Sequence, residues 1–124
     1  MIDFTNSEFL SLTKTSPDSV SSVNPLLIPG ESILSAYKSI RDYVVFTDKR
    51  VIAVNVQGFT GKKKDFTSLP YSKISAFSVE TSGTFDLDSE LEMYFSGLGK
   101  VKFSFSGNSD IVKIGQLIAS YALK

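Results

Sequence analysis

Three short stretches carry the residue types from which a binding or catalytic site would be built. The first is QGFTGKKK, Gln57 to Lys64, where two glycines, a hydroxyl residue and three lysines stand together as they do where proteins hold phosphate. A P-loop needs four residues between its first glycine and the Gly-Lys-[Ser/Thr] unit, so that the backbone wraps a diphosphate. Here only Phe59 and Thr60 separate Gly58 from Gly61, and Lys63 stands where a magnesium-binding hydroxyl belongs. The segment that follows reads as strand, so no helix dipole faces a phosphate. A nucleotide site is rejected. A hairpin turn with solvated lysines fits best, with glycines supplying its geometry and lysines guarding strand ends. Contact of Lys62, Lys63 and Lys64 with anionic lipid head groups, with Lys49 and Arg50 as further candidates, is the alternative; a contact between protomers is a third reading.

The second stretch, SGTFDLDSELE, clusters Asp86, Asp88, Glu90 and Glu92. It opens like a calcium loop but lacks the central glycine, and the twelfth position is Gly97 instead of glutamate. As a carboxylate pair for glycoside hydrolysis it lacks an apolar pocket to raise one pKa. It is read as a polar connector and outward strand face, with a role towards a partner or a neighbouring protomer as the alternative. The third stretch, RDYVVFTDKR, offers salt bridges among Arg41, Asp42, Asp48 and Lys49. Exposed pairs of that kind contribute about 0–1 kcal/mol each, so a plain hairpin turn is the favoured reading, with charges that fix register at a surface as the alternative.

Composition narrows the chemistry further. There is no histidine and no cysteine, which removes the commonest general base and metal ligand and all thiolate and disulfide chemistry. Thirteen basic residues balance thirteen acidic ones, so no global field draws nucleic acid. Tyr37, Tyr71 and the phenylalanines are therefore read as core or interface anchors instead of a base-stacking platform. The opening MIDFTNSEFLSL has neither the cationic start nor the apolar run of a secretory signal, and no stretch approaches the roughly 20 apolar residues of a membrane span. The expectation is a cytoplasmic domain without metal, cofactor or catalytic residues.

The elements that must position these stretches follow from periodicity. Residues 1–27 read as an N-terminal extension of short helix and loop. Within it Ser16 is placed to cap, Pro17 to take the first helical position and Asp18 to meet the positive helix end, with Pro25 limiting the helix to about two turns. IPGE, Ile28 to Glu31, reads as a turn. Strands are expected in SILSAYKSI, in both arms of DYVVFTDKRVIAVNV, and in KKKDFTSLPY, ISAFSVET, ELEMYF and VKFSFS. Both arms of the hairpin are apolar on two faces, which predicts cover on both sides. Pro70 marks a strand end, an edge or a bulge. The period then switches: Ile111, Ile114, Ile118 and Tyr121, with Gly115 and Ala122 beside them, share one helical face opposite Lys113, Gln116, Ser120 and Lys124. Asn108 or Ser109 would cap that helix, with Asp110 in its first turn. The sum is a mainly β chain: seven antiparallel strands in a barrel or sandwich, capped by one C-terminal helix.

The wording of the chain is also specific. RDYVVFTDKRVIAV, QGFTGKKK and LPYSKISAFSVETSGTFDLDSEL follow one another between Tyr37 and Gly97, and together they resemble the bacterial pleckstrin-homology-like (PH-like) domain family, over residues 28–124. The resemblance implies a PH-like barrel without established catalysis or a confirmed ligand. It also implies self-association into closed, pentameric rings, in which strands of neighbouring protomers meet and create a shared hydrophilic surface. Ending just after its single helix, the chain looks like the short, single-domain type. The resemblance, taken with the charges above, points to Arg41, Asp42, Lys49, Glu80, Thr81, Asp86 and Asp88 as the interaction surface of a scaffold with an unidentified protein partner.

Overall fold

Every one of the seven expected strands forms, and each ends where its apolar pattern ends. In the computed structural model, which describes residues 1–85, 87–106 and 110–124, they are β2 (Ile33–Lys38), β3 (Tyr43–Thr47), β4 (Arg50–Gln57), β5 (Lys63–Pro70), β6 (Ile74–Glu80), β7 (Ser89–Phe95) and β8 (Gly99–Phe105). An eighth, β1 (Phe9–Thr15), was not anticipated and corrects the count. It lies inside the sheet, whose order is β5-β4-β3-β2-β1-β8-β7-β6. Its pairing with β2 is antiparallel, but its pairing with β8 is parallel, so the sheet is not purely antiparallel. Residues 1–27 thus supply a strand that joins the two halves of the sheet. The sequence hid it because Ser11 interrupts the alternation: it takes φ 55° where the register with β8 shifts, so Phe9 and Leu12, three residues apart, both turn inward.

Two apolar layers result. The inner one is built from alternate residues such as Leu91, Met93, Val101, Phe103 and Phe105, and is closed by Ile2, Phe9 and the helix α1 (Ile111–Ala122). Tyr37 belongs here, edge-on to Phe46 and Phe105. So does Tyr71, which donates to the Thr47 carbonyl at 2.7 Å and stacks on Tyr121; burial pushes its phenol far above the ordinary value. The outer layer covers the other face of the β3–β4 hairpin, where Val20 and Val23 pack on Tyr43, Val45, Ile52 and Val54. Those two valines come from a 3-10 segment, Pro17–Leu26, bent at Val20. Ser16 precedes it without a side-chain cap bond, and Pro25 sits within it, since a 3-10 turn tolerates what an α-helix of two turns would not.

Helix α1 packs against β6, β7 and the short 3-10 turn Tyr71–Lys73. Gly115 is the point of closest approach: a Cβ there would meet Val79 Cγ1 at 3.0 Å. The cap is Asp110, whose carboxylate accepts from the Lys113 amide at 3.1 Å; Asn108 and Ser109 lie outside the described residues. On β6 a bulge between Ile74 and Ala76 breaks strict alternation, which leaves Ala76 and Ser78 exposed while Ile74 and Phe77 pack inward.

Candidate functional site

The turns β2–β3 and β4–β5 meet at one end of their hairpins, and Arg41 joins them by donating from its guanidinium to the Gly58 carbonyl. Gly61 permits this approach. It sits at φ 68°, and a Cβ there would lie 3.3 Å from Val56 Cγ1 and 3.9 Å from Arg41 Nη2. Beside the turns opens a cleft of about 450 Å³. Lys38, Arg41 and Lys64 line it, with Ser22, Tyr43 and Thr60, and no Asp or Glu is among its described lining residues. Asp42, the nearest acid in sequence, turns instead to the backbone: it accepts from the Val56 amide at 2.9 Å and from the Asn55 side chain at 3.3 Å. Its own amide and carbonyl bond Ser39, closing the β2–β3 turn. Asp42 is thereby a turn staple and leaves the cleft cationic. At the rim stand Ile40 and Phe59, 97% and 110% exposed.

The lysine trio divides. Lys64 turns into the cleft, whereas Lys62 and Lys63 remain exposed in the turn and at the strand start, as the solvated-turn reading expects. Lys49 lies at the other end of the β3–β4 hairpin, five residues of β3 away from Arg41 and Asp42. The expected bridges among Arg41, Asp42, Asp48 and Lys49 do not form among the described residues. Asp48 accepts from the Ser32 amide at 3.0 Å. Glu80, Thr81 and Asp88 are exposed around the β6–β7 connection, and Asp86 lies outside the described residues. The six described residues of the expected polar surface therefore fall into three groups within a single chain.

The strongest electrostatic feature was not foreseen. Glu31, in the turn before β2, has a fully buried side chain that receives Arg50 Nε and Nη2 at 2.9 Å each, the Thr47 hydroxyl at 2.6 Å and the Ile28 amide at 3.1 Å. Burial alone would raise its pKa; these donors, Arg50 foremost, outweigh that and hold the carboxyl at about 2. Arg50 also reaches the Leu26 carbonyl at 2.7 Å and Ser68 at 2.9 Å. Thr47 accepts the amides of Lys49 and Arg50, so the network clamps turn, hairpin and 3-10 segment together. Nothing in the composition of IPGE marks Glu31 as buried. On the outer face of β7 and β8, Lys102 meets Glu90 at 2.8 Å, which lowers the Glu90 pKa and raises that of Lys102.

Among the described residues no group of three or more Asp, Glu, His or Cys side chains is placed to hold a metal, and no helix is long and apolar enough to cross a membrane. The family model for the bacterial PH domain matches residues 3–122. The chain belongs to the bacterial PH domain family. Among its relatives, the uncharacterised protein YjqA of Bacillus subtilis is 48% identical over 100 residues, which cover 79% of this chain and 80% of that one. A DUF1696 family protein with a pleckstrin-homology domain from Shewanella loihica superposes with a TM-score of 0.80 at 36% identity, covering 91% of this chain and 98% of that one. The pleckstrin homology domain from Shewanella amazonensis gives 0.68 at 38% identity, covering 96% and 94%. The match from residue 3 takes in the strand β1, which the resemblance over residues 28–124 did not reach.

Proposed function

We propose that this PH domain is a non-catalytic, cytoplasmic interaction module that closes into a homo-oligomeric ring, pentameric in form, and acts as a scaffold for a protein partner. One observation carries the reading: large apolar side chains stand unpacked at loop tips. Phe85, Ile40 and Phe59 are all essentially fully exposed. Ile40 and Phe59 stand together at the rim of one cleft, and neighbouring exposed apolar groups mark a surface that another molecule covers. The two outermost strands, β5 and β6, each have a single neighbour in the sheet, so each offers a further edge. The resemblance to ring-forming PH-like domains points the same way. Repetition around a ring would convert a weak contact at each protomer into a stable one.

Light scattering after size exclusion, at low and high salt, tests this. A discrete mass near five chains supports the ring, and a single-chain mass of 13.6 kDa at both salts removes it. The rival is a peripheral membrane module using Lys62–Lys64. Only that rival predicts salt-sensitive flotation with anionic vesicles.

A further inference from the structure

We propose that the cationic cleft beside the β2–β3 and β4–β5 turns docks a linear peptide of a partner protein, one in which acidic residues stand next to aromatic or aliphatic ones. This rests on the reading of the domain as an interaction module and names the chemistry of its partner, without requiring the ring. Charge complementarity points to it first. The chain is neutral as a whole, but between residues 38 and 65 seven basic residues stand against three acids. Those acids are turned elsewhere. Asp42 accepts from the Val56 amide, Asp48 from the Ser32 amide and Asp65 from the Thr67 hydroxyl, and none is among the described lining residues of the cleft. Lys38, Arg41 and Lys64 do line it, and none of the three has an ion-pair partner among the described residues. Cations gathered in this way without a counter-charge repel one another until an anion enters between them.

The lining selects which anion fits. Its hydroxyls are already engaged: Ser22 bonds Tyr43, Ser19 bonds Thr15 and the Ser16 carbonyl, and Thr60 accepts from the Lys62 amide. A polyhydroxylated ring, which needs a partner for each of its own hydroxyls, therefore finds fewer openings here than a carboxylate does. Arg41 gives one donor to the Gly58 carbonyl and keeps the rest of its guanidinium fork for a carboxylate, beside the two ammonium groups.

Apolar contact completes the fit. Ile40 and Phe59, one from each turn, stand exposed in the same lining, so an occupant that sets carboxylates on the cations covers them only if it carries apolar groups as well. A volume of about 450 Å³ suits a few side chains of an extended segment. A bilayer answers the same charges less well. The neutral total gives no long-range pull towards an anionic surface, and a flat surface does not enter a cleft walled by the Pro17–Leu26 segment on one side and the turns on the other.

The test is fluorescence anisotropy of the labelled peptide Glu-Glu-Phe-Glu-Glu-Leu, titrated with the full chain at about 0.15 M salt, where exposed charges more than about 8 Å apart are screened. Three variants are compared with the unaltered protein: the cleft reversed (Lys38→Glu with Lys64→Glu), the rim blunted (Ile40→Ser with Phe59→Ser), and a turn control of equal charge change (Lys62→Glu with Lys63→Glu) outside the cleft lining. All these positions are exposed or half-exposed, and circular dichroism checks that each variant is folded. Should the reversed pair not fold, Lys38→Gln with Lys64→Gln takes its place with the same expected direction. Saturable binding is expected from the unaltered protein and the turn control, with affinity lower by about tenfold or more in the cleft and rim variants. No binding by the unaltered protein up to about 1 mM, the weak end of specific affinities, overturns the docking site. So does an equal loss in the turn control and the cleft variant, which reports overall charge instead of this cleft. If vesicles of phosphatidylglycerol and phosphatidylcholine capture the unaltered protein but not the cleft variant, and the peptide is not bound, the cleft takes lipid and the docking site is refuted. Light scattering keeps the two readings apart. A ring that binds no peptide refutes the partner chemistry alone, and a one-chain mass with peptide bound at the cleft refutes the ring alone.

Discussion

Replacing Glu31 by glutamine isolates the charge in the clamp while keeping its shape. The folded carboxyl titrates at about 2 against an ordinary 4.5, and at about 1.36 kcal/mol per pH unit that difference favours the ionised folded form by about 3 kcal/mol. The figure is usable because the side chain is wholly buried and its Arg50 partner four-fifths so. It also agrees with the 3–5 kcal/mol expected on breaking one side of a buried pair. Because the folded pKa is depressed, the contribution is complete above about pH 5 and disappears as pH falls towards 2. Urea unfolding of both proteins should therefore separate them by about 3 kcal/mol at pH 7 and by about 1.4 kcal/mol at about pH 3, one pH unit above the folded value. The midpoint of thermal unfolding should fall by about 10 °C at neutral pH. A gap below about 1 kcal/mol at pH 7, or one unchanged at pH 3, would refute the assignment of the stabilisation to this carboxylate.

Other consequences are more local. Asp42→Ala removes the acceptor for the Val56 amide and should cost about 1–2 kcal/mol in urea unfolding, since Asp42 staples a turn. Gly115→Leu forces a side chain into the 3.0 Å approach to Val79 and should lose about 1–3 kcal/mol; Gly115→Ala should be close to neutral, because helix propensity gained, about 1 kcal/mol, offsets the tight contact with a valine that has room to yield. Thr47→Val withdraws an acceptor from the amides of Lys49 and Arg50 and a donor from Glu31. It should cost about 2–3 kcal/mol, and its effect should not add to that of Glu31→Gln, a double-mutant comparison that checks the shared network.

How much of this was legible differs by element. β7 and β8 were readable because Leu91, Met93 and Phe95, and then Val101, Phe103 and Phe105, alternate with Glu92, Tyr94, Lys102 and Ser104, and those six apolar residues all pack inward. The helix was readable by the same token, down to Gly115 on the packed side. The expected cover on both sides of the β3–β4 hairpin is supplied by Val20 and Val23, residues whose own segment gave no sign of where it would dock. β1 was unreadable: its alternation is broken by Ser11 and its partner β8 lies about ninety residues away, so no local pattern records the pairing. The charged words fared less well than the strands. Arg41 and Asp42 are adjacent in sequence, yet one lines a cleft and the other is turned onto the backbone of β4.

By itself, then, the sequence determined seven of the eight strands, the apolar face of β7 and β8, that a helix closes the chain's packed end, and which family vocabulary it uses, since all of these are properties of periods of two or about four residues and of consecutive words. Only the tertiary structure decided that Glu31 meets Arg50 instead of water, that Lys38 and Lys64 converge with Arg41 on a cleft with no acid among its described lining residues, and that Phe59 and Phe85 stay exposed while Phe46, Phe103 and Phe105 are buried. The first of these joins residues nineteen positions apart, where burial and mutual attraction, not local pattern, fix the geometry.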